Sequence, residues 1–291
     1  MRATVLAPAK LNLFLDITGR RNDGYHIVNM VMQSVSLYDE VIVTINSDYD
    51  RVKIECTDES VPCDESNTAY KAAVKFFEHT NISPVGVSVK IKKRIPSQAG
   101  MAGGSTDAAA VLAALNEMLE ADLSNKELAD IAEEIGADVP FCIYGGTMTA
   151  SGIGTILSPL PDMPDCTIVA VKPDVGISTK AAYQACDKAG YDNVKSPDKV
   201  IRGICGGDVS EIGEGMYNKF EEVSALPETD DIKSCMLRFG AEGSCMTGSG
   251  SVAFGIFSDS ERAEDCIVAL SEKYEHIFKL NPVSHGVKII R

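Results

Sequence analysis

One stretch constrains the fold more than any other: Gly100-Met101-Ala102-Gly103-Gly104-Ser105-Thr106-Asp107, set between an alternating segment and an alanine- and leucine-rich one. Before it, GVSVKIKKRI places Val87, Val89 and Ile91 on one face, the period of a strand. Behind it, DAAAVLAALNEMLEAD consists mostly of strong helix formers. Glycines let a backbone approach a bulky anion and take left-handed conformations. A helix starting at once behind them aims unpaired N–H groups and its positive dipole end at that anion. Ser105 and Thr106 add hydroxyl donors, or an oxygen ligand for Mg2+. The same residues fit a tight strand-to-helix turn with a Ser or Thr cap equally well. No Gly-Lys-Ser/Thr follows the glycines, which excludes a P-loop, and G-x-G-x-x-G is absent, which excludes a dinucleotide fingerprint.

The first 55 residues read as strands: TVLAPAKLNLFLDI, then HIVNMVMQSVSL and DEVIVTI, with a turn at Asn22-Asp23-Gly24. NTAYKAAVKFFEHT has helical spacing, and Ser124 with Glu127 predicts a capping box opening a helix that Gly136 ends. Asp138-Val139-Pro140 falls at a loop or helix start. Further on come a buried strand, TIVAVKP, helices around 179–188, 195–204, 228–239 and 259–273, and a strand–glycine–strand unit at 243–257. The three prolines of 155–165 mark the best place for a domain join, giving units of 1–155 and 156–291. Strands and helices mixed without strict alternation predict an α+β fold.

The nine cysteines are odd in number, irregularly spaced and without C-x-x-C, and the four histidines form no H-x-x-x-H pair. Both facts argue against a disulfide scaffold or structural zinc. The start, MRATVLAPAK, has no long apolar run, and no uninterrupted apolar stretch is long enough to span a bilayer. A cytoplasmic protein is expected, as monomer or homodimer. A formal charge of −15 disfavours nucleic-acid or anionic-membrane partners, which need clustered Lys and Arg. A nucleotide substrate remains compatible, since backbone N–H groups can hold its phosphates.

Pro96 through Asp107 resembles the second motif of the GHMP kinases. Their first motif resembles Ala7-Pro8-Ala9-Lys10-Leu11-Asn12-Leu13, and their third resembles Met246-Thr247-Gly248-Ser249-Gly250-Ser251. All three occur in order across essentially the whole chain. Gly19-Arg20-Arg21-Asn22-Asp23-Gly24-Tyr25-His26, Gly136-Ala137-Asp138-Val139-Pro140-Phe141 and Gly145-Gly146-Thr147 narrow the resemblance to the 4-diphosphocytidyl-2-C-methyl-D-erythritol kinases. It implies a two-domain fold, ribosomal-S5-like and then ferredoxin-like. It also implies transfer of the γ-phosphate of ATP to the 2-hydroxyl of a small cytidyl diphosphate substrate, with Mg2+ accompanying ATP.

The residue chemistry agrees. Phosphoryl transfer to an alcohol needs a base near the hydroxyl and cations against the developing charge. Asp138 suits the base and Lys10 its partner, although an isolated Asp there is commonly a cap and an isolated Lys commonly solvated. Tyr25 offers a face for stacking a pyrimidine and His26 a ring nitrogen for its polar edge. Asn12 could hold a substrate hydroxyl or base. The resemblance adds Tyr183 against cytosine, and Gly248, Ser249 and Gly250 beside substrate and phosphate tail. The ATP residues expected are Pro96, Ser97, Gln98, Ala99, Gly100, Met101, Ala102, Gly103, Gly104, Ser105 and Thr106, with Asn67 toward the nucleoside. Ser105 is the expected Mg2+ ligand. Many relatives have Gly where Gln98 and Ala102 stand. Two rivals stay open: another GHMP small-molecule kinase acting on homoserine, mevalonate or a sugar, and a non-catalytic nucleotide-binding regulator. A third, an RNA-binding protein on a related α+β domain, is disfavoured by the charge.

Overall fold

The computed structural model describes residues 1–46, 51–224 and 226–290. Within the stretch read as strands, residues 47–50 lie outside the described residues. The chain opens with two long antiparallel strands, β1 (Arg2–Arg20) and β2 (His26–Asn46). HIVNMVMQSVSL and DEVIVTI, expected as separate strands, are thus one. The charged pair Asp39-Glu40 that opens the second run does not break it, because Asp39 is fully buried with partners of its own. Then follow β3 (Val52–Cys56), α1 (Thr68–His79), β4 (Gly86–Lys92), α2 (Gly103–Met118), α3 (Asn125–Glu133), α4 (Val139–Tyr144), β5 (Thr147–Ser151) and β6 (Ile156–Pro159). The capping box of Ser124 and Glu127 forms as expected at the start of α3.

The second part begins with β7 (Thr167–Lys172) and α5 (Thr179–Ala189), α6 (Asp198–Gly206) and α7 (Val209–Gly215). After it come β8 (Tyr217–Asn218), α8 (Lys219–Val223), α9 (Pro227–Arg238), β9 (Gly243–Met246), β10 (Ala253–Phe257), α10 (Ser260–Ser271), β11 (His276–Leu280) and β12 (Lys288–Ile290). One sheet has the order β12-β1-β2-β4-β3, with β5 and β6 continuing from β2 and β8 beside β1; the other runs β11-β7-β10-β9. The proline-bearing 155–165 segment carries β6 and then crosses from the first sheet to the second.

Three apolar clusters fill the spaces between layers. The first lies between the large sheet and α1–α4, and includes Val5, Val41, Val89, Phe76, Leu112 and Phe141. The second joins the two sheets through Leu11, Val31, Ile168 and Phe254; the third packs Val169 and Val171 on α9 and α10. Successive residues of β7 therefore serve opposite clusters, as strand alternation requires. The large sheet does not keep one face throughout. Ala3, Val5 and Ala7 belong to the first cluster, Ala9, Leu11 and Leu13 to the second, and Leu15 and Ile17 to the first again. The pairing of β1 with β2 slips after Pro8 and after Asn12, and such bulges turn a strand segment over. The segment between them presents Lys10 and Asn12 on the side facing α2.

Candidate active site

Lys10 owes its position to that turned segment. Its backbone N–H donates to Met101 O at 3.1 Å, tying the strand to the glycine loop. Its ammonium is buried, donates to Asn12 Oδ1 at 2.6 Å and lies 3.6 Å from Asp138 Oδ2. Asp138 occupies the residue before α4, yet its side chain makes no capping hydrogen bond. Instead the carboxylate faces Lys10 with a third of the side chain open to the cleft. Buried Val139, Pro140 and Phe141 anchor the short helix behind it.

The glycine loop forms one wall of a cleft of about 1130 Å3. Ala102, the residue before α2, is left-handed at φ 59° and supplies no side-chain cap, so the first N–H groups of the helix stay uncapped. Gly100 has φ 74°, and a Cβ on it would stand 2.1 Å from Thr247 O. The second and third glycine loops therefore touch backbone to backbone. Thr247 Oγ1 donates to Gly100 O at 3.2 Å, and Gly248 N donates to Asn12 Oδ1 at 3.0 Å. Beneath the loop, the Lys93 ammonium bridges Asp39 and Asp107, the latter at 2.8 Å; all three side chains are buried. Asp39 also accepts from the N–H groups of Arg94 and Ile95. Burial pushes the Asp107 carboxyl up to about 7, with Lys93 opposing and Asp39 adding to the rise. Burial works against the Lys93 ammonium too, but the carboxylates of Asp107 and Asp39 outweigh it and raise its pKa.

Aromatic groups line the far end of the cleft. Tyr25 is exposed at the rim, while His26 stacks on Tyr183 with ring centroids 4.3 Å apart. Phe220 meets Tyr183 edge-on at 5.0 Å. Burial, and then the negative charge of Asp138, lift the Tyr183 phenol to about 12, so it stays neutral near neutral pH.

Most of the expected residues share this cleft. Pro96 to Ser105, Asn67, Tyr25, His26, Tyr183, Gly248, Ser249, Gly250, Lys10 and Asp138 all line it. Three of the expected residues have side chains placed or engaged differently. Thr106 is fully buried and absent from the lining, because it follows Ser105 on α2 and turns onto the core. Asn12 is likewise fully buried, its Oδ1 holding Lys10 and the third loop rather than facing the cleft. Asn67 borders the cleft, but its side chain caps α1 at Ala69 N and donates to Pro62 O.

The family models for the GHMP kinases N terminal domain and the GHMP kinases C terminal match residues 67–146 and 200–276. A 4-diphosphocytidyl-2-C-methyl-D-erythritol kinase from Clostridium tetani (strain Massachusetts / E88) is 43% identical over 278 residues, 94% of this chain and 98% of its own. The chain belongs to this kinase family. A relative of the same name from Clostridium botulinum (strain Hall / ATCC 3502 / NCTC 13319 / Type A) is 41% identical over 274 residues, 94% of this chain and 97% of its own. A crystal structure of 4-(cytidine 5'-diphospho)-2C-methyl-D-erythritol kinase superposes with a TM-score of 0.80 at 30% identity, covering 97% of this chain and 99% of that one. Homoserine kinase from Cytophaga hutchinsonii ATCC 33406 shares the fold, with a TM-score of 0.81 at 22% identity over 99% of this chain and 97% of its own.

For a 4-diphosphocytidyl-2-C-methyl-D-erythritol kinase, the departures at Gln98 and Ala102 have a structural counterpart. Both stand at positive φ, 53° and 59°, where glycine is the unstrained residue. The sequence reading missed Lys93 and Lys180 in the cleft lining, and Asp107 as its buried partner. Lys93 sat unmarked in the basic run Lys92-Lys93-Arg94, and only the long-range contact with Asp39 distinguishes it.

Proposed function

We propose that this kinase moves the γ-phosphoryl group of ATP to the 2-hydroxyl of 4-diphosphocytidyl-2-C-methyl-D-erythritol, in non-mevalonate synthesis of isoprenoid precursors. The observation that carries this is the Lys10–Asp138 pair, 3.6 Å apart, between an uncapped helix N-terminus and a cluster of aromatic rings. One end suits a polyphosphate and the other a pyrimidine. In this reading Asp138 accepts the proton of the attacking hydroxyl as its oxygen bonds to phosphorus and the bond to the departing ADP breaks. Lys10 orients the Asp138 carboxylate across the 3.6 Å pair and meets the charge developing on the transferred group. The amides opening α2 hold the phosphates, Tyr25, His26 and Tyr183 hold the base, and Ser249 with Gly248 and Gly250 flanks the phosphate tail.

Mg2+ fits as an ion carried mainly by the nucleotide. Among the described residues no cluster of three His, Cys, Asp or Glu could hold a metal, while the Ser105 hydroxyl borders the cleft at the start of α2. When bound it would neutralise β- and γ-phosphate charge. We assign the protein to the cytoplasm, consistent with nine cysteines that are all free thiols. No helix among the described residues is long and apolar enough to cross a membrane.

The test is a coupled ADP-release assay with ATP and Mg2+, offering 4-diphosphocytidyl-2-C-methyl-D-erythritol beside homoserine, mevalonate and galactose. Turnover with the cytidyl substrate alone is expected, with Asp138→Asn and Lys10→Ala each losing about a hundredfold or more. Turnover with another alcohol discards this substrate. Both variants near wild-type activity would remove the pair from catalysis.

A further inference from the structure

His26 does not enter the cleft alone. Its Nε2 lies 2.8 Å from Asp187 Oδ1, and Asp187 is itself held on two further sides. Arg20 donates to Oδ2 at 3.1 Å, and the Tyr191 hydroxyl donates to Oδ1. Tyr183 and Asp187 stand one helical turn apart on α5, so a single helix face supplies the ring stacked on His26 and the carboxylate at its edge. Hydrogen bonds from Tyr191 and then His26 hold the Asp187 carboxyl below its ordinary range, so it is ionised and can only accept. Nε2 of His26 must then carry a proton. Among the described residues no hydrogen bond reaches Nδ1, and the ring borders the cleft.

Resting on the pyrimidine-holding role given to His26 above, we propose that Asp187 is a positioning residue for base selection. By accepting the Nε2 proton it selects the tautomer that leaves an Nδ1 lone pair for the cleft. A lone pair at that place accepts from an exocyclic amino group, the 4-substituent of cytosine, and repels the carbonyl oxygen that uracil carries there. Two independent donors on the carboxylate, Arg20 and Tyr191, keep it from rotating away from the ring, as the outer partners of an oriented histidine do elsewhere. None of these three side chains needs to touch the reacting atoms, so their effect belongs in substrate binding and base preference, not in the chemical step.

The experiment compares wild type, Asp187→Ala and the near-isosteric Asp187→Asn with the cytidyl substrate and its uridyl analogue, beside 15N NMR of the histidine rings. His26 is assigned by its absence in His26→Gln. Wild type should prefer the cytidyl substrate and show the Nε2–H tautomer at His26. Asp187→Ala should raise KM for the cytidyl substrate about tenfold, the value of one hydrogen bond, with kcat within about threefold of wild type. The ratio of cytidyl to uridyl kcat/KM should fall by a similar factor, and the His26 ring should show mixed tautomers. Asp187→Asn retains an acceptor and should recover most of the preference. Turnover of the cytidyl substrate with an unchanged base preference in Asp187→Ala overturns the role of Asp187 alone, as does an Nδ1–H tautomer in wild type. Wild type inert toward the cytidyl substrate overturns the base-binding role of His26 and this assignment together.

Discussion

Replacing Gly100 by alanine probes the contact that brings two glycine loops together. The backbone there has φ 74°, and the new methyl would sit 2.1 Å from Thr247 O, 2.9 Å from Thr247 C and 3.3 Å from Gly248 Cα. A left-handed alanine costs about 1–2 kcal/mol. The obstructing atoms are backbone, so no rotamer change relieves the overlap, and parting the loops adds about 1–3 kcal/mol. The stiffer unfolded chain returns about 0.5–1 kcal/mol, leaving a net loss of about 1–4.5 kcal/mol. Parting the loops also disturbs Thr247 Oγ1 to Gly100 O and Gly248 N to Asn12 Oδ1, and Asn12 is the partner of Lys10. Activity should therefore fall with stability, by about tenfold or more in kcat/KM, the worth of one such hydrogen bond. Gly207→Ala is the control: its φ is 69°, but nothing lies within 4 Å of the added methyl, so only the left-handed cost remains. Urea unfolding of both variants, with ADP-release kinetics, separates the two contributions. If Gly100→Ala is no less stable than Gly207→Ala and retains wild-type kcat/KM, the loops are not in the contact described.

Three further outcomes follow from the same site. Asn12→Ala strips Lys10 of its 2.6 Å acceptor and leaves Gly248 N unpaired; kcat should drop about tenfold or more, with roughly 1–3 kcal/mol lost in urea unfolding. Ala102→Gly relieves a left-handed residue at φ 59° against the entropy of a new glycine, so the urea midpoint should rise or hold, by up to about 1 kcal/mol. Asp107→Asn tests the buried carboxyl. Its pKa rises from 3.8 unfolded to about 7 folded, so the folded state binds more protons between those values and this group's contribution to stability falls as pH rises through the window. Lys93, raised in turn, contributes stability present below its unfolded value of 10.5 and lost only above it, so it stays level across that window. Wild-type stability relative to Asp107→Asn should therefore decline from pH 5 to pH 8 by a few kcal/mol; a constant difference refutes the assignment.

What could be read beforehand was local. The glycine loop, the alanine-rich helix behind it, the Ser124 capping box and the Lys10-to-Asn12 motif are each spelled within a few adjacent residues. What stayed hidden depends on contacts between distant ones. Asp39 opens the run DEVIVTI, expected as a strand of its own, but with Lys93 and two backbone N–H groups as partners it continues β2 through the core. Asn12 and Thr106 have the right chemistry for ligands, and only the bulges of β1 and the rotation of α2 decide which neighbours they meet. The edge strands β8, β11 and β12 were not anticipated, since 2, 5 and 3 residues carry too little periodicity to register. Asp187 sits in an ordinary helical surface pattern, and its tie to His26 spans the two parts of the fold.

Pairing of Thr4–Leu6 with Lys288–Ile290 makes the outer edge of β1 depend on a contact across almost the whole fold. Such a contact carries a large loop-closure cost and is slow to form beside local ones. With β12 detached, β1 presents unpaired backbone groups there, the kind of edge that recruits other chains. A variant or clipped product without β12 would therefore be prone to pair with its neighbours along β1 rather than with itself.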